Sequence, residues 1–192
     1  ASMAPHQQVG ADAAAGRAAA ARIIERIARH APAGEWLDVG VGTGALLFTA
    51  AEWGYDVVGA DAGIESVEML LKLGYKGVWN DIVDLDWADR FSVVSMAGSL
   101  EQAAFPRQSL AAARRLLRSG GVLFVSMANM DTIVWRILDA SGANAYWGDI
   151  ERNHMFTRAR LVKLLETEGF NVMEYGVSDR GPSAMEIIAI KR

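Results

Sequence analysis

The chain contains no cysteine, which excludes a disulfide scaffold, a thiolate metal site and a cysteine nucleophile. Only three histidines are present, His6, His30 and His154, and they argue against a histidine-built metal cage. No apolar run reaches the roughly 20 residues that a membrane span needs. The start, Ala1-Ser2-Met3-Ala4-Pro5, lacks the basic-then-apolar pattern of a signal peptide, so a soluble, cytoplasmic protein is expected. Positive charge is also in deficit. Nineteen Lys and Arg against 23 Asp and Glu leave a net charge of −4, which argues against non-specific binding to nucleic acid or to an anionic membrane. What is present is apolar: 52% of the 192 residues are hydrophobic, enough for a core and too many for a disordered chain. The length is that of a single domain, 1–192.

Apolar spacing divides the chain into alternating elements. Residues 12–30 read as an amphipathic helix with Ile23, Ile24 and Ile27 on one face, ended by Ala31-Pro32-Ala33-Gly34. Trp36 to Val39, Tyr55 to Gly59, Lys76 to Asn80, Phe91 to Ser95 and Val122 to Ser126 read as strands. Helices at Ala45 to Trp53, Ile64 to Leu73 and Arg107 to Arg118 alternate with most of them. Such alternation implies a parallel sheet with helices on both faces. After Asn129 the pattern changes. A segment without a clear strand carries Trp135, Tyr146, Trp147 and His154, and reads as an insertion (129–156) over one end of the sheet. A helix from Arg158 to Glu168 then precedes two strands, Phe170 to Val177 and Ala184 to Ile190. No helix lies between these two, so they should pair antiparallel.

The most informative stretch is Trp36-Leu-Asp-Val-Gly-Val-Gly-Thr-Gly-Ala45, a strand, a glycine turn and a helix. Glycines let the backbone take positive φ and let a ligand approach it closely. In an open α/β sheet the crevice at the strand ends is where ligands bind. Asp61, just after the second strand, is placed to accept hydrogen bonds from ribose hydroxyls. Gly40, Gly42 and Ala45 also satisfy the looser dinucleotide pattern. Three features point away from a nicotinamide enzyme: Asp38 inside the strand, Asn80-Asp81-Ile82 after the third strand, and the terminal antiparallel pair.

These motifs resemble those of the class I S-adenosylmethionine-dependent methyltransferases, of the branch containing the ubiquinone-biosynthesis O-methyltransferases. Leu37 to Gly44 is similar to the first family motif, Val58-Gly-Ala-Asp61 to the ribose motif, and Asn80-Asp81-Ile82 to the adenine motif. Phe91 to Gln102, Leu116 to Phe124 and Phe156 to Phe170 resemble later motifs. The resemblance implies a Rossmann-like, mostly parallel seven-stranded sheet ending in an antiparallel pair. It implies that Gly40, Val41, Gly42 and Gly44 pass under the amino acid part of the cofactor, and that Asp61 and Ala62 meet the ribose. Asp81 and Ile82 would hold the adenine, the Met96 backbone would lie near the methionyl amine, and Asp38 would act through the turn. The product would be S-adenosylhomocysteine, the acceptor a small molecule methylated at oxygen, and no metal would be needed. The chain departs from the pattern at Gln102, where many relatives have histidine, and at Ser92, where many have aspartate.

Each assignment has a plainer alternative. Asp61 is also a good turn residue, and Asp81 with Asp84, Asp86 and Asp89 also reads as a solvated acidic loop. Glu101 reads equally as a surface acid, and Arg107, Arg114, Arg115 and Arg118 as a solvated helix face. The candidate bases are His154, whose imidazole titrates near neutrality, and the acids Glu101 and Glu151; Tyr146 and Trp147 are the candidate substrate contacts. The rival functions are a cofactor-binding module without catalysis and a nicotinamide-dependent oxidoreductase.

Overall fold

The computed structural model describes residues 5–178 and 183–192, with side chains described from residue 14. The loop expected at 178–183 lies largely outside the described residues, as do the first four positions. The strands are β1 (Glu35–Val39), β2 (Asp56–Asp61), β3 (Lys76–Trp79), β4 (Phe91–Ala97), β5 (Leu117–Ala128), β6 (Phe170–Val177) and β7 (Ala184–Lys191). The helices are α1 (Pro5–Ala28), α2 (Ala45–Glu52), α3 (Ile64–Lys72), α4 (Pro106–Leu116), α5 (Ile133–Ala140) and α6 (Arg158–Thr167). All seven strands form one sheet in the order β3-β2-β1-β4-β5-β7-β6. The first five pair in parallel, and β7 runs antiparallel to both β5 and β6.

The central strands are apolar along their length because both faces are covered. One face packs Leu37, Val94, Leu123 and Ile187 with Leu110, Leu116 and Leu161 from α4 and α6. The other packs Trp36, Val93 and Phe124 with Ile23, Ile24 and Ile27 of α1 and Leu47 of α2. Helix ends carry their usual chemistry. Pro106 opens α4, while Thr132 and Thr157 accept the Trp135 and Arg160 N–H groups at the starts of α5 and α6. Gly169 ends α6 at φ +87°.

Two boundaries differ from expectation. Helix α1 begins at Pro5 rather than 12: proline is at home in a first turn, and the alanine-rich run has high helix propensity. Helix α4 stops at Leu116, not Arg118, because Leu117 is buried and already pairs with Phe91 in the sheet. The exposed Arg118-Ser-Gly120 excursion then breaks the register before Val122 pairs with Val93.

Strand β1 is central, with β2 on one side and β4 on the other, so the connections leave it in opposite directions. That reversal opens a crevice at its carboxyl end. The insertion begins at the end of β5 and closes on itself through a bridge between Asn129 and Phe156. Among the described residues, no helix is long and apolar enough to cross a membrane.

Candidate active site

The glycine turn after β1 has a division of labour that spacing alone does not show. Gly40, Gly42 and Gly44 all have positive φ, of +75°, +53° and +76°. A Cβ on Gly40 would lie 2.7 Å from the Ser99 Cβ, and one on Gly44 2.4 Å from the Phe48 ring. These two glycines are therefore required by close packing. A Cβ on Gly42 would meet nothing within 4 Å. Its open side faces a cavity of 340 Å³ lined by Asp38, Gly40, Val41, Gly42, Ala97 and, from α1, Gly16 and Ala20.

A second cavity, of 150 Å³, shares Gly40 and is lined by Asp61, Ala62, Asp81, Ile82, Met96 and Ser99. The structure thus brings Asp38, Gly40, Val41, Gly42, Asp61, Ala62, Asp81, Ile82 and Met96 onto one crevice. Gly44 lines neither cavity and instead starts α2.

The acids are held by the backbone. Asp61 Oδ2 accepts the Val41 N–H and Oδ1 accepts the Gly63 N–H, each at 2.8 Å, so the carboxylate ties the glycine turn to the end of β2. Asp81 Oδ1 accepts the Val83 N–H at 3.0 Å and starts the short 3₁₀ turn Ile82–Asp84. Asp38 is buried: Ser95 Oγ donates to it at 2.5 Å and in turn accepts the Trp36 indole N–H at 2.7 Å. The turn reading of Asp61 holds and Asp81 is exposed as an acidic loop would be, while both side chains border the crevice.

A third cavity, also of 150 Å³, lies on the other side of the loop after β4. It is lined by Gly98 and Glu101, by Ser126, Met127 and Ala128 at the end of β5, by Tyr146 and Arg152, and by Ala184. Glu101 is no surface acid; it is only 4% exposed. Arg152 Nη1 donates to Glu101 Oε1, and Arg152 Nε donates to Asp149 Oδ2 at 2.6 Å. Glu101 Oε2 is buried without a hydrogen bond among the described residues. Burial pushes the Glu101 carboxyl up to about 7, against the Arg152 charge and the Ala128 N–H, which favour the ionised form.

Tyr146 stacks on the buried Trp135 with ring centroids 5.0 Å apart, and Arg152 lies over its other face at 4.6 Å. Trp147 is 62% exposed, its indole donating to Asp139 at 2.7 Å. His154 lines none of these cavities: Nε2 lies 3.4 Å from the Ala104 carbonyl, while its backbone N–H donates to Glu101 O at 3.0 Å.

Sequence reasoning missed Arg152, which stands in Glu151-Arg-Asn153 with no spacing to mark it. It also missed Arg115. Exposed on its helix face as expected, its guanidinium also donates to the Leu85 and Trp87 carbonyls at 2.7 and 2.8 Å and braces the loop after Ile82. Glu101 carries a usable signal: it follows a buried strand by four residues, at the sheet edge where ligands bind.

The chain matches the methyltransferase domain model over residues 13–175. It is 27% identical over 157 residues to the ubiquinone biosynthesis O-methyltransferase of Bordetella avium, covering 72% of this chain and 65% of that one. The Candida albicans mitochondrial enzyme of the same name is 32% identical over 110 residues, covering 52% of this chain and 34% of the relative. The chain therefore spans from about a third to just under two thirds of the length of these relatives. Among solved structures, magnesium protoporphyrin IX methyltransferase from Synechocystis PCC 6803, with bound S-adenosylhomocysteine, superposes with a TM-score of 0.72 at 16% identity, covering 100% of this chain and 90% of that one. The match to the methyltransferase domain model, with the seven-stranded order and the glycine turn at the end of β1, shows that the chain belongs to the methyltransferase-domain family, in its class I, S-adenosylmethionine-dependent form.

Proposed function

We propose that the protein transfers a methyl group from S-adenosylmethionine to an oxygen of a small-molecule acceptor without a metal ion. The observation that carries the cofactor side is Gly42. Among the turn glycines it is the one whose missing Cβ opens onto the large cavity, as a backbone cradle for a bulky ligand requires. The cavity pair fits the two ends of such a cofactor. Gly40, Val41 and Gly42 with Asp38 would hold the amino acid end, Asp61 and Ala62 the ribose, Asp81 and Ile82 the adenine, and Met96 the floor. When bound, the cofactor supplies an activated methyl group, so the protein's task is to position the acceptor and exclude water.

The acceptor is placed under the insertion 129–156, with Tyr146 closest, Trp147 at the outer rim and His154 beside the loop after β4. Oxygen as acceptor atom draws on the O-methyltransferases among the relatives. One structural neighbour, from Burkholderia thailandensis, is a 1,6-didemethyltoxoflavin-N1-methyltransferase solved with that small molecule and S-adenosylhomocysteine bound. Its TM-score is 0.71 at 23% identity, over 97% of this chain and 82% of that one, and it supports a small-molecule acceptor. Calorimetry with S-adenosylmethionine, S-adenosylhomocysteine and NAD tests the reading. Binding of both sulfur cofactors and none of NAD is expected; tight NAD binding with no response to the other two would overturn it.

A further inference from the structure

The loop after β4 is a partition. Met96, Ser99 and Gln102 face the smaller cofactor cavity, Ala97 faces the larger one, and Gly98 and Glu101 face the cavity beyond. The same loop thus borders both the crevice and the cavity that holds Glu101. Gly98 lines the outer cavity without a side chain: its φ is +95° and a Cβ there would meet nothing within 4 Å.

Inside this outer cavity the polar inventory is unbalanced. Glu101 Oε1 is taken by Arg152, but Oε2 is buried and makes no hydrogen bond among the described residues. A buried carboxylate oxygen without a donor is costly, and native structures seldom tolerate one without a use for it. The charged and titratable groups around it come from the insertion: Arg152, Asp149 behind it, and Tyr146. β5 contributes Ser126 and the Ala128 N–H, and β7 contributes Ala184. The nearest cation, Arg152, is already shared between two carboxylates. Among the described residues the cavity therefore offers no spare positive charge for an anionic acceptor. Its 150 Å³ is the volume that holds one benzene-sized ring, and the Tyr146 face forms one wall.

Resting on the function proposed above, we propose that Glu101 Oε2 is the proton acceptor of the transfer, and that the cavity beside it seats the hydroxyl of a small acceptor without a carboxylate or phosphate. The balance is simple. The acceptor oxygen bonds to the methyl carbon, the carbon–sulfur pair stays on sulfur, and the hydroxyl proton passes to Oε2 and then to solvent. The sulfonium charge and the carboxylate charge vanish together. Arg152 is a positioning residue: it fixes the Glu101 rotamer and keeps the carboxylate ionised. A carboxyl titrating at about 7 is ionised often enough and basic enough for this work near neutrality.

The test uses the whole chain and its Glu101→Gln and Arg152→Gln variants. Catechol is the uncharged probe and 3,4-dihydroxybenzoate its anionic counterpart. Infrared difference spectra, wild type minus Glu101→Gln, should show a carboxylate ionising with a midpoint near 7, and Arg152→Gln should move that midpoint upward. Catechol should bind the S-adenosylhomocysteine complex better than the benzoate does. Its methylation should rise with pH to a plateau through the same midpoint. Glu101→Gln should cut kcat by about 100-fold or more and flatten that rise, with cofactor affinity unchanged within twofold. The proposal is overturned by a pH rise that survives in Glu101→Gln, by a Glu101 carboxylate titrating near 4.5, or by failure of catechol to bind while S-adenosylhomocysteine binds. If S-adenosylhomocysteine itself does not bind, the proposed function fails first and the role of Glu101 falls with it.

Discussion

Replacing Glu101 with glutamine should stabilise the protein at the pH where it removes activity. The carboxyl is 4% exposed, and burial lifts it from 4.5 to about 7. Between those values the folded chain holds a proton that the unfolded chain has released. Unfolding free energy must therefore fall as pH rises through this window. The stability linked to the raised value is fully present below 4.5 and lost once pH passes 7. The gap is worth about 3 kcal/mol, a large share of the 5–15 kcal/mol typical of a whole domain. Glutamine keeps the carbonyl that accepts from Arg152 but never ionises. Urea unfolding of both proteins from pH 4.5 to 8.5, followed by tryptophan fluorescence, reads the difference directly. The variant should match the wild type near pH 4.5 and exceed it by about 3 kcal/mol at pH 8. Other titrating groups, such as Glu174, held low despite its burial by His30 and Arg26, cancel in that difference. A stability difference that stays constant with pH would refute the claim that burial of Glu101 sets its ionisation.

Three further outcomes are expected. Gly42→Val should abolish cofactor binding measured by calorimetry while costing only the strain of a branched residue at φ +53°, about 1–3 kcal/mol, in thermal unfolding; normal binding would make the turn merely structural. Asp61→Ala should weaken cofactor binding by about 1.5–3 kcal/mol, and an unchanged dissociation constant would leave Asp61 as a turn residue that serves only the Val41 and Gly63 N–H groups. His154→Ala and Trp147→Ala should each lower catechol turnover, less than Glu101→Gln does, with cofactor affinity kept within a factor of about two, below the 1.4 kcal/mol of a tenfold change; normal turnover in both would move the acceptor mouth away from these side chains.

The crevice was legible because its chemistry is backbone chemistry. A turn that needs positive φ at Gly40 and Gly42 must be written in glycine, and an acid that ties β2 to that turn must stand at the strand's end, so Asp61 follows Gly40 at a readable distance. The sheet was legible for a related reason: strands covered on both faces are apolar runs, and β1, β4 and β5 could hardly be written otherwise. The acceptor side has no such grammar. Glu101 and Arg152 are 51 residues apart and meet only because the insertion folds back from the end of β5 until the Glu101 carbonyl accepts the Asn153 and His154 N–H groups. Nothing local marks Arg152, and Glu101 is marked only by its place four residues past β4, since glutamates after strands and arginines in polar loops are usually solvated. What distinguishes them is burial, a property of the assembled fold. Among the candidate bases His154 stood first for its ordinary titration range near neutrality, whereas burial raises the Glu101 carboxyl toward that range. Residue type names Glu101 as one candidate acid among several, and only its burial sets it apart. The proposal puts the base there, on the loop after β4 that borders both the crevice and the outer cavity.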